Sequence, residues 1–165
     1  MQKVAIIGII LLAILFRFFQ LGALPPSPYW EEVALGYDAY SLLKTGKDHH
    51  GHAYPIVAFE SFGDWKPGFY IYATVPSVML FGLNVFAVRF PSAMSGIAIV
   101  LGVGVLSSLL FSGRKEHIEQ QRPFKLWLPV LTMLVAAIEP WGIIVSRGAW
   151  ESNLATALTL WAIIM

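Results

Sequence analysis

Apolar residues in this chain come in blocks, and the blocks set the elements it predicts. The first runs unbroken from residue 4 to 16 and is extended past Arg17 by residues 18–24. At 1.5 Å per residue, 4–24 as one helix would be about 30 Å long, enough to cross a bilayer. Lys3 followed by an apolar run also resembles a secretory signal peptide. No small-x-small cleavage site follows, and Arg17 with Phe18 and Phe19 reads as an interfacial anchor, so the expectation is an uncleaved first span over about 1–24. Blocks at 69–83, 90–111 and 126–145 predict further apolar helices. The stretch 90–111 has spanning length, whereas 69–83 is short and carries Pro76. The last block, 154–165, stops while still apolar at about 12 residues where a span needs about 20. It reads as a span cut short in a longer protein.

Between the first two blocks lies the longest polar stretch, 25–67. Pro25, Pro26 and Pro28 close the preceding helix, since proline donates nothing to the ladder and pushes its predecessor out of the helical region. Within this loop, residues 30–45 read as a helix closed by Gly46. Glu31, Asp38, Ser41 and Thr45 fall within about 80° of one another at 100° per residue, leaving Val33, Leu35, Tyr37, Ala39, Tyr40, Leu42 and Leu43 for the rest. A mostly apolar helix with one polar stripe beside a span fits a helix lying at the membrane interface, and also fits a plain amphipathic helix of a loop.

Composition narrows the class. Hydrophobic residues make up 57% and charged residues 13%, about half the usual charged share, with a mean hydropathy of +0.67. That excludes a disordered tail and a basic nucleic-acid binder. The absence of cysteine excludes disulfides, thiolate metal sites and thiol nucleophiles. The expected class is an all-α, polytopic, multi-pass membrane protein. Charge then adds a conflict. Arg114, Lys115, Arg122 and Lys125 make the stretch 112–125 basic, hence cytoplasmic by the positive-inside rule. Three full crossings from an inside N-terminus would put it outside, so the number of crossings between 68 and 145 stays open.

The polar loop holds six of the ten acids: Glu31, Glu32, Asp38, Asp48, Glu60 and Asp64. A carboxylate at a membrane face is costly and is therefore a candidate for chemistry. Glu31-Glu32 could take a proton from a hydroxyl, or could merely complement the helix dipole from the first turn. Lys66 suits a phosphate as a compact cation, or could snorkel at the start of the next helix. Arg147 and Glu151, four apart, could pair on one helix face. Arg89 reads as a helix-start anchor. His49, His50 and His52 sit in a polar loop without a ligand scaffold and read as a solvated turn, so no metal is expected.

The stretch Glu31-Glu32-Val33-Ala34-Leu35-Gly36-Tyr37-Asp38-Ala39-Tyr40-Ser41-Leu42-Leu43-Lys44-Thr45-Gly46-Lys47-Asp48-His49-His50-Gly51 resembles the first exoplasmic loop of polyprenol-phosphate-dependent glycosyltransferases. These are the bacterial relatives of protein O-mannosyltransferases and of the lipid A aminoarabinose transferase. The likeness continues in order through Gly63-Asp64-Trp65-Lys66-Pro67-Gly68, through 81–93, and through Pro140-Trp141 to Ser146-Arg147 and Glu151. Two departures stand out: Glu31 where the family has aspartate, and Gly68 where it has a second proline.

The resemblance implies a GT-C-type helical bundle, here its N-terminal part, with an exoplasmic loop containing interfacial helices. It implies inverting transfer of a sugar from a polyprenyl-phosphate carrier to a protein, lipid or glycan acceptor, in a bacterial or archaeal plasma membrane. It places the catalytic base at Glu31, with Glu32 in reserve, and the lipid phosphate at Lys66. Asp48 would shape the loop near substrate, and Arg147 and Glu151 would lie near the active site. Trp65 and Tyr70 could line the lipid groove. No cofactor is implied, and the partners are the lipid-linked donor, membrane lipid and an acceptor. A transporter or lipid-binding component without chemistry would share the apolar blocks.

Overall fold

Prolines, glycines and one left-handed glutamine decide where the helices stop. The computed structural model of the protein describes residues 1–112 and 122–165, so 113–121, the middle of the basic stretch read as a cytoplasmic loop, lie outside the described residues. Among the described residues the chain is mostly helical, with α1 (Gln2–Phe18), α2 (Trp30–Thr45), α3 (Gly68–Phe81), α4 (Val85–Ser112), α5 (Arg122–Ile138), α6 (Pro140–Ser146) and α7 (Glu151–Ile164). Between α2 and α3 lies an antiparallel hairpin of β1 (Ala58–Ser61) and β2 (Asp64–Pro67), paired from Ala58↔Pro67 to Ser61↔Asp64. The all-α expectation therefore misses one small sheet.

Four expected elements differ. The first helix stops at Phe18 rather than reaching Leu24, because Gln20 takes a φ of 50° and residues 19–24 run in turns. The fourth helix starts at Val85, not residue 90. The block 126–145 is two helices, since Glu139 before Pro140 is extended and the helices on either side are bent by 59°. The last begins at Glu151. By contrast α2 spans 30–45, its C-terminus closed by Gly46 at φ 71° with an N–H bond to the Leu42 carbonyl.

Helix α4 is the axis of the fold and packs against all six other helices or their caps, most extensively α5 and α7. Its segment Val85–Phe111 is long and apolar enough to cross a membrane. The buried core helix of a soluble protein would meet the same criteria, but only 39% of this segment's most apolar window is buried. Two apolar clusters flank it. One joins Leu35, Ala39, Leu42, Phe59, Tyr70, Ile71, Val78 and Val88, fastening α2 and the hairpin onto α3 and α4. The other joins Ile9, Ala13, Val100, Val130, Met133 and Ala137 from α1, α4 and α5.

Arg17, expected at an interface, is buried instead at the α5–α6 break. Its guanidinium donates to the carbonyls of Ala136 (3.1 Å) and Ala137 (3.2 Å), which the bend frees from the ladder. The next helix is capped by the Glu139 carboxylate, which accepts from the Gly142 N–H. Gly96 on α4 makes room: a methyl group there would stand 2.6 Å from Arg17 Nε.

Candidate active site

The first turn of α2 carries the two glutamates, and they meet different surroundings. Glu32 is buried and all four of its lone-pair positions are taken. Its Oε1 accepts from Arg89 Nε (2.9 Å) and the Ala149 N–H (2.8 Å), and its Oε2 from Arg89 Nη2 (2.9 Å) and the Tyr29 N–H (2.9 Å). The Tyr29 contact is the N3-to-N-cap half of a capping box. Burial opposes ionisation of this carboxyl, but the Arg89 bonds and the two backbone N–H groups outweigh it and hold the group below the ordinary glutamate value.

Arg89, read from sequence as an anchor, is buried and spends its remaining donors on three carbonyls of the α1–α2 connection. These are Leu21 (3.1 Å), Pro25 (3.0 Å) and Ser27 (3.3 Å). One guanidinium thereby ties α4, the proline loop and the start of α2 into a knot, and Ala149 adds the α6–α7 turn.

Glu31 points the other way. Its Oε1 accepts from Lys66 Nζ at 2.7 Å, with the carboxylate side chain 33% exposed and the lysine 15%. Its Oε2 accepts no hydrogen bond from the described residues. Lys66 lies on β2 rather than snorkelling from a helix, and Asp64 Oδ2, 74% exposed, stands 3.4 Å from the same ammonium. Hydrogen bonding to Glu31 raises the lysine above its ordinary value against a smaller opposing effect of burial, so it is charged at any physiological pH.

The hairpin is aimed by its turn. Phe62 and Gly63 both have positive φ, 54° and 76°, as a tight hairpin turn of the primed type requires. Phenylalanine is strained there, by about 1–2 kcal/mol. Its ring stacks on Trp30 with centroids 5.0 Å apart and planes 22° from parallel, which offsets part of that cost and holds the hairpin tip over the start of α2. Glycine at 63 is the sequence signal for this turn; the partner strands, four residues each, are too short for their alternation to reveal it.

The expected polar stripe of α2 is not its outer face. Asp38 is buried with Leu35, Ala39 and Leu42, while Trp30, Val33, Tyr37 and Tyr40 are exposed. Nor are the histidines merely solvated. Asp38 accepts from the His49 N–H (3.0 Å) and lies 2.6 Å from its Nδ1, and Asp48 accepts from the His52 N–H (2.7 Å) with Nδ1 at 2.9 Å. Asp48 thus shapes its own loop, and no hydrogen bond among the described residues joins it to Glu31 or Lys66. Burial opposes its ionisation, but the His52 bonds prevail and lower it. No group of three or more potential ligands among the described residues is placed to hold a metal.

Arg147 and Glu151 do not pair, because residues 147–150 form a turn and the two never share a helix. Arg147 instead donates to the carbonyls of Phe16 (2.7 Å), Phe19 (2.7 Å) and Leu24 (3.0 Å), closing the frayed end of α1. Glu151 lines an apolar groove of about 420 Å³ between α3 and α7 with Pro67, Phe69, Tyr70, Leu154 and Leu158. Pro67, the chain neighbour of Lys66, is the groove's lining residue from β2; Lys66 itself is not one of its lining residues. Tyr70 is buried and gives its hydroxyl to the Val88 carbonyl (3.0 Å), while Trp65 is exposed.

No protein-family model matches the chain, and no curated protein and no solved structure matches it.

Proposed function

We propose that this chain carries the donor end of an inverting glycosyltransferase site that uses a sugar linked to a polyprenyl phosphate. The observation that supports it most is the Glu31–Lys66 contact, made across 35 residues of sequence by an acid at a helix start and a cation on a strand. It unites the two groups such a reaction needs. The carboxylate takes the proton of the acceptor hydroxyl while that oxygen bonds to the anomeric carbon. The bond from that carbon to the phosphate oxygen breaks on the opposite side, and its electron pair leaves on the phosphate, where Lys66 balances the charge. Glu32, saturated with donors, has no position for a proton in transit and acts by fixing the turn that presents Glu31.

The membrane setting draws support from the helix surfaces. Outward-facing side chains of α1 (Val4, Ile7, Leu11), α3 (Met79, Leu80) and α4 (Leu109, Leu110) are apolar and exposed, far more than a water-facing surface sustains. This favours a multi-pass membrane protein whose α2 lies at the interface, presenting Trp30, Tyr37 and Tyr40 at headgroup level.

The test is transfer from a radiolabelled polyprenyl-phosphate sugar in membranes holding the intact protein. Release of sugar onto an acceptor, lost by about 10²–10⁴-fold in Glu31→Gln, is the expected result for removal of a general base. Lys66→Ala is expected to abolish it too. Normal turnover in both variants, or flux of intact lipid without transfer, overturns the reading.

A further inference from the structure

The functional reading leaves one difficulty in the geometry. The lysine assigned to the phosphate and the carboxylate assigned to the proton are bonded to each other. At 2.7 Å the ammonium sits on Oε1, and with 15% of the lysine side chain exposed it has little freedom to serve a second anion at the same time. The pairing of β2 with β1 and the Phe62–Trp30 stack hold the strand in that position.

We infer that Glu31 is an internal stand-in for the donor's phosphate: a phosphomonoester or phosphodiester lipid binds Lys66 by displacing the Glu31 carboxylate, and only then is Oε1, the oxygen the ammonium holds, released to serve as base to an acceptor hydroxyl. This rests on the functional reading above and adds an order to it, donor before acceptor. Three observations carry it. The pair is the shortest ammonium–carboxylate contact among the described residues, one-third exposed on the acid side and therefore reachable. Asp64, 3.4 Å away and largely exposed, offers the lysine a second, weaker carboxylate rather than a further cation, so the site is poised for exchange of anions. Glu32 cannot substitute, being saturated by Arg89 and two N–H groups.

Displacement makes a prediction opposite in sign to that of a supporting contact. Deleting the negative charge of Glu31 removes the competitor and tightens the phosphate, whereas deleting a residue that merely held Lys66 in place would weaken it. The experiment titrates the purified intact protein in neutral detergent with farnesyl phosphate and, in parallel, with farnesol. The wild type is expected to prefer the phosphate. Glu31→Gln is expected to tighten the phosphate about fivefold, the scale of a part-exposed ion pair, with farnesol unmoved. In Glu31→Gln combined with Lys66→Ala the gain disappears. Asp64→Asn is expected to give a smaller tightening of the same sign, which serves if Glu31→Gln does not fold, with circular dichroism reporting folding for each.

If farnesyl phosphate binds through Lys66 but Glu31→Gln leaves its affinity unchanged or weaker, displacement is wrong and the functional reading survives. If no variant distinguishes the phosphate from the alcohol, the functional reading itself fails.

Discussion

Two glutamates stand side by side at the start of α2, and their fates are opposite. Glu32 faces inward and is locked by four donors from three separate segments of chain. Glu31 faces outward with one lysine on one oxygen. The chemistry of the residue type is the same; the difference is the number of acceptor positions left open. A carboxylate with none is a structural tie, because any proton it took would cost hydrogen bonds to buried groups. A carboxylate with an open oxygen and a part-exposed cation on the other can exchange partners. The pair thus divides into a carboxylate that holds the fold and one that keeps an acceptor position open.

The sharpest way to break that division is Arg89→Ala. It leaves Glu32 ionised, buried and short of two donors, and removes the support of three carbonyls, so about 3–5 kcal/mol of stability should go. Thermal unfolding in detergent would read it, and adding Glu32→Gln should recover part of the loss. Lys66→Ala should cost only about 0–1 kcal/mol, as a part-exposed pair does. Equal losses at the two sites would erase the distinction.

A second cut uses pH. Glu32 is held below the ordinary glutamate value, so the stability it contributes is complete above that value, about pH 4.3, and is lost as pH falls through the lower value of the folded state. The unfolding temperature should therefore be flat from neutrality to about pH 5 and fall below about pH 4. Asp48 and Asp64, the latter lowered chiefly by the Trp65 N–H, act in the same direction. Glu32→Gln should flatten part of the acid limb, and an unchanged limb would show that the buried knot does not set it. The smallest effect belongs to Phe62→Ala, which removes the stack on Trp30, about 0.5–1.5 kcal/mol, but also strain at a positive φ. Its stability change should be under about 1 kcal/mol, seen as a small shift of the unfolding midpoint.

How far the sequence reaches can be judged on the same residues. The helix at 30–45 was legible because three prolines and Gly46 bracket it; the resemblance gave Glu31 and Lys66 separate roles, base and phosphate ligand, and did not foretell the bond between them. The inner face of α2 was not legible. Periodicity sorts apolar from polar, and it placed Asp38 in a polar stripe with Glu31, because nothing local shows that the His49 N–H will donate to it inside; nor does anything near Glu32 announce Arg89, its donor 57 residues on. The hairpin escaped for a similar reason: Phe59 and Trp65 alternate with Glu60 and Lys66 over only four residues a strand, too short a run to read. The break at Glu139 had a local sign in Pro140, which the continuous apolar block around it obscured.

The arginine lodged at that break has a bearing on how the chain is built. In hydrocarbon, an interrupted helix exposes carbonyls that no water can reach. Here the donors come from the far end of another helix, made 119 and 120 positions earlier. Within the membrane setting proposed for this chain, the segment 122–146 should enter the bilayer poorly by itself and well once residues 2–18 are already there. Insertion reporters on that segment, with and without α1 or with Arg17→Leu, would show whether biogenesis follows this sequence of arrivals.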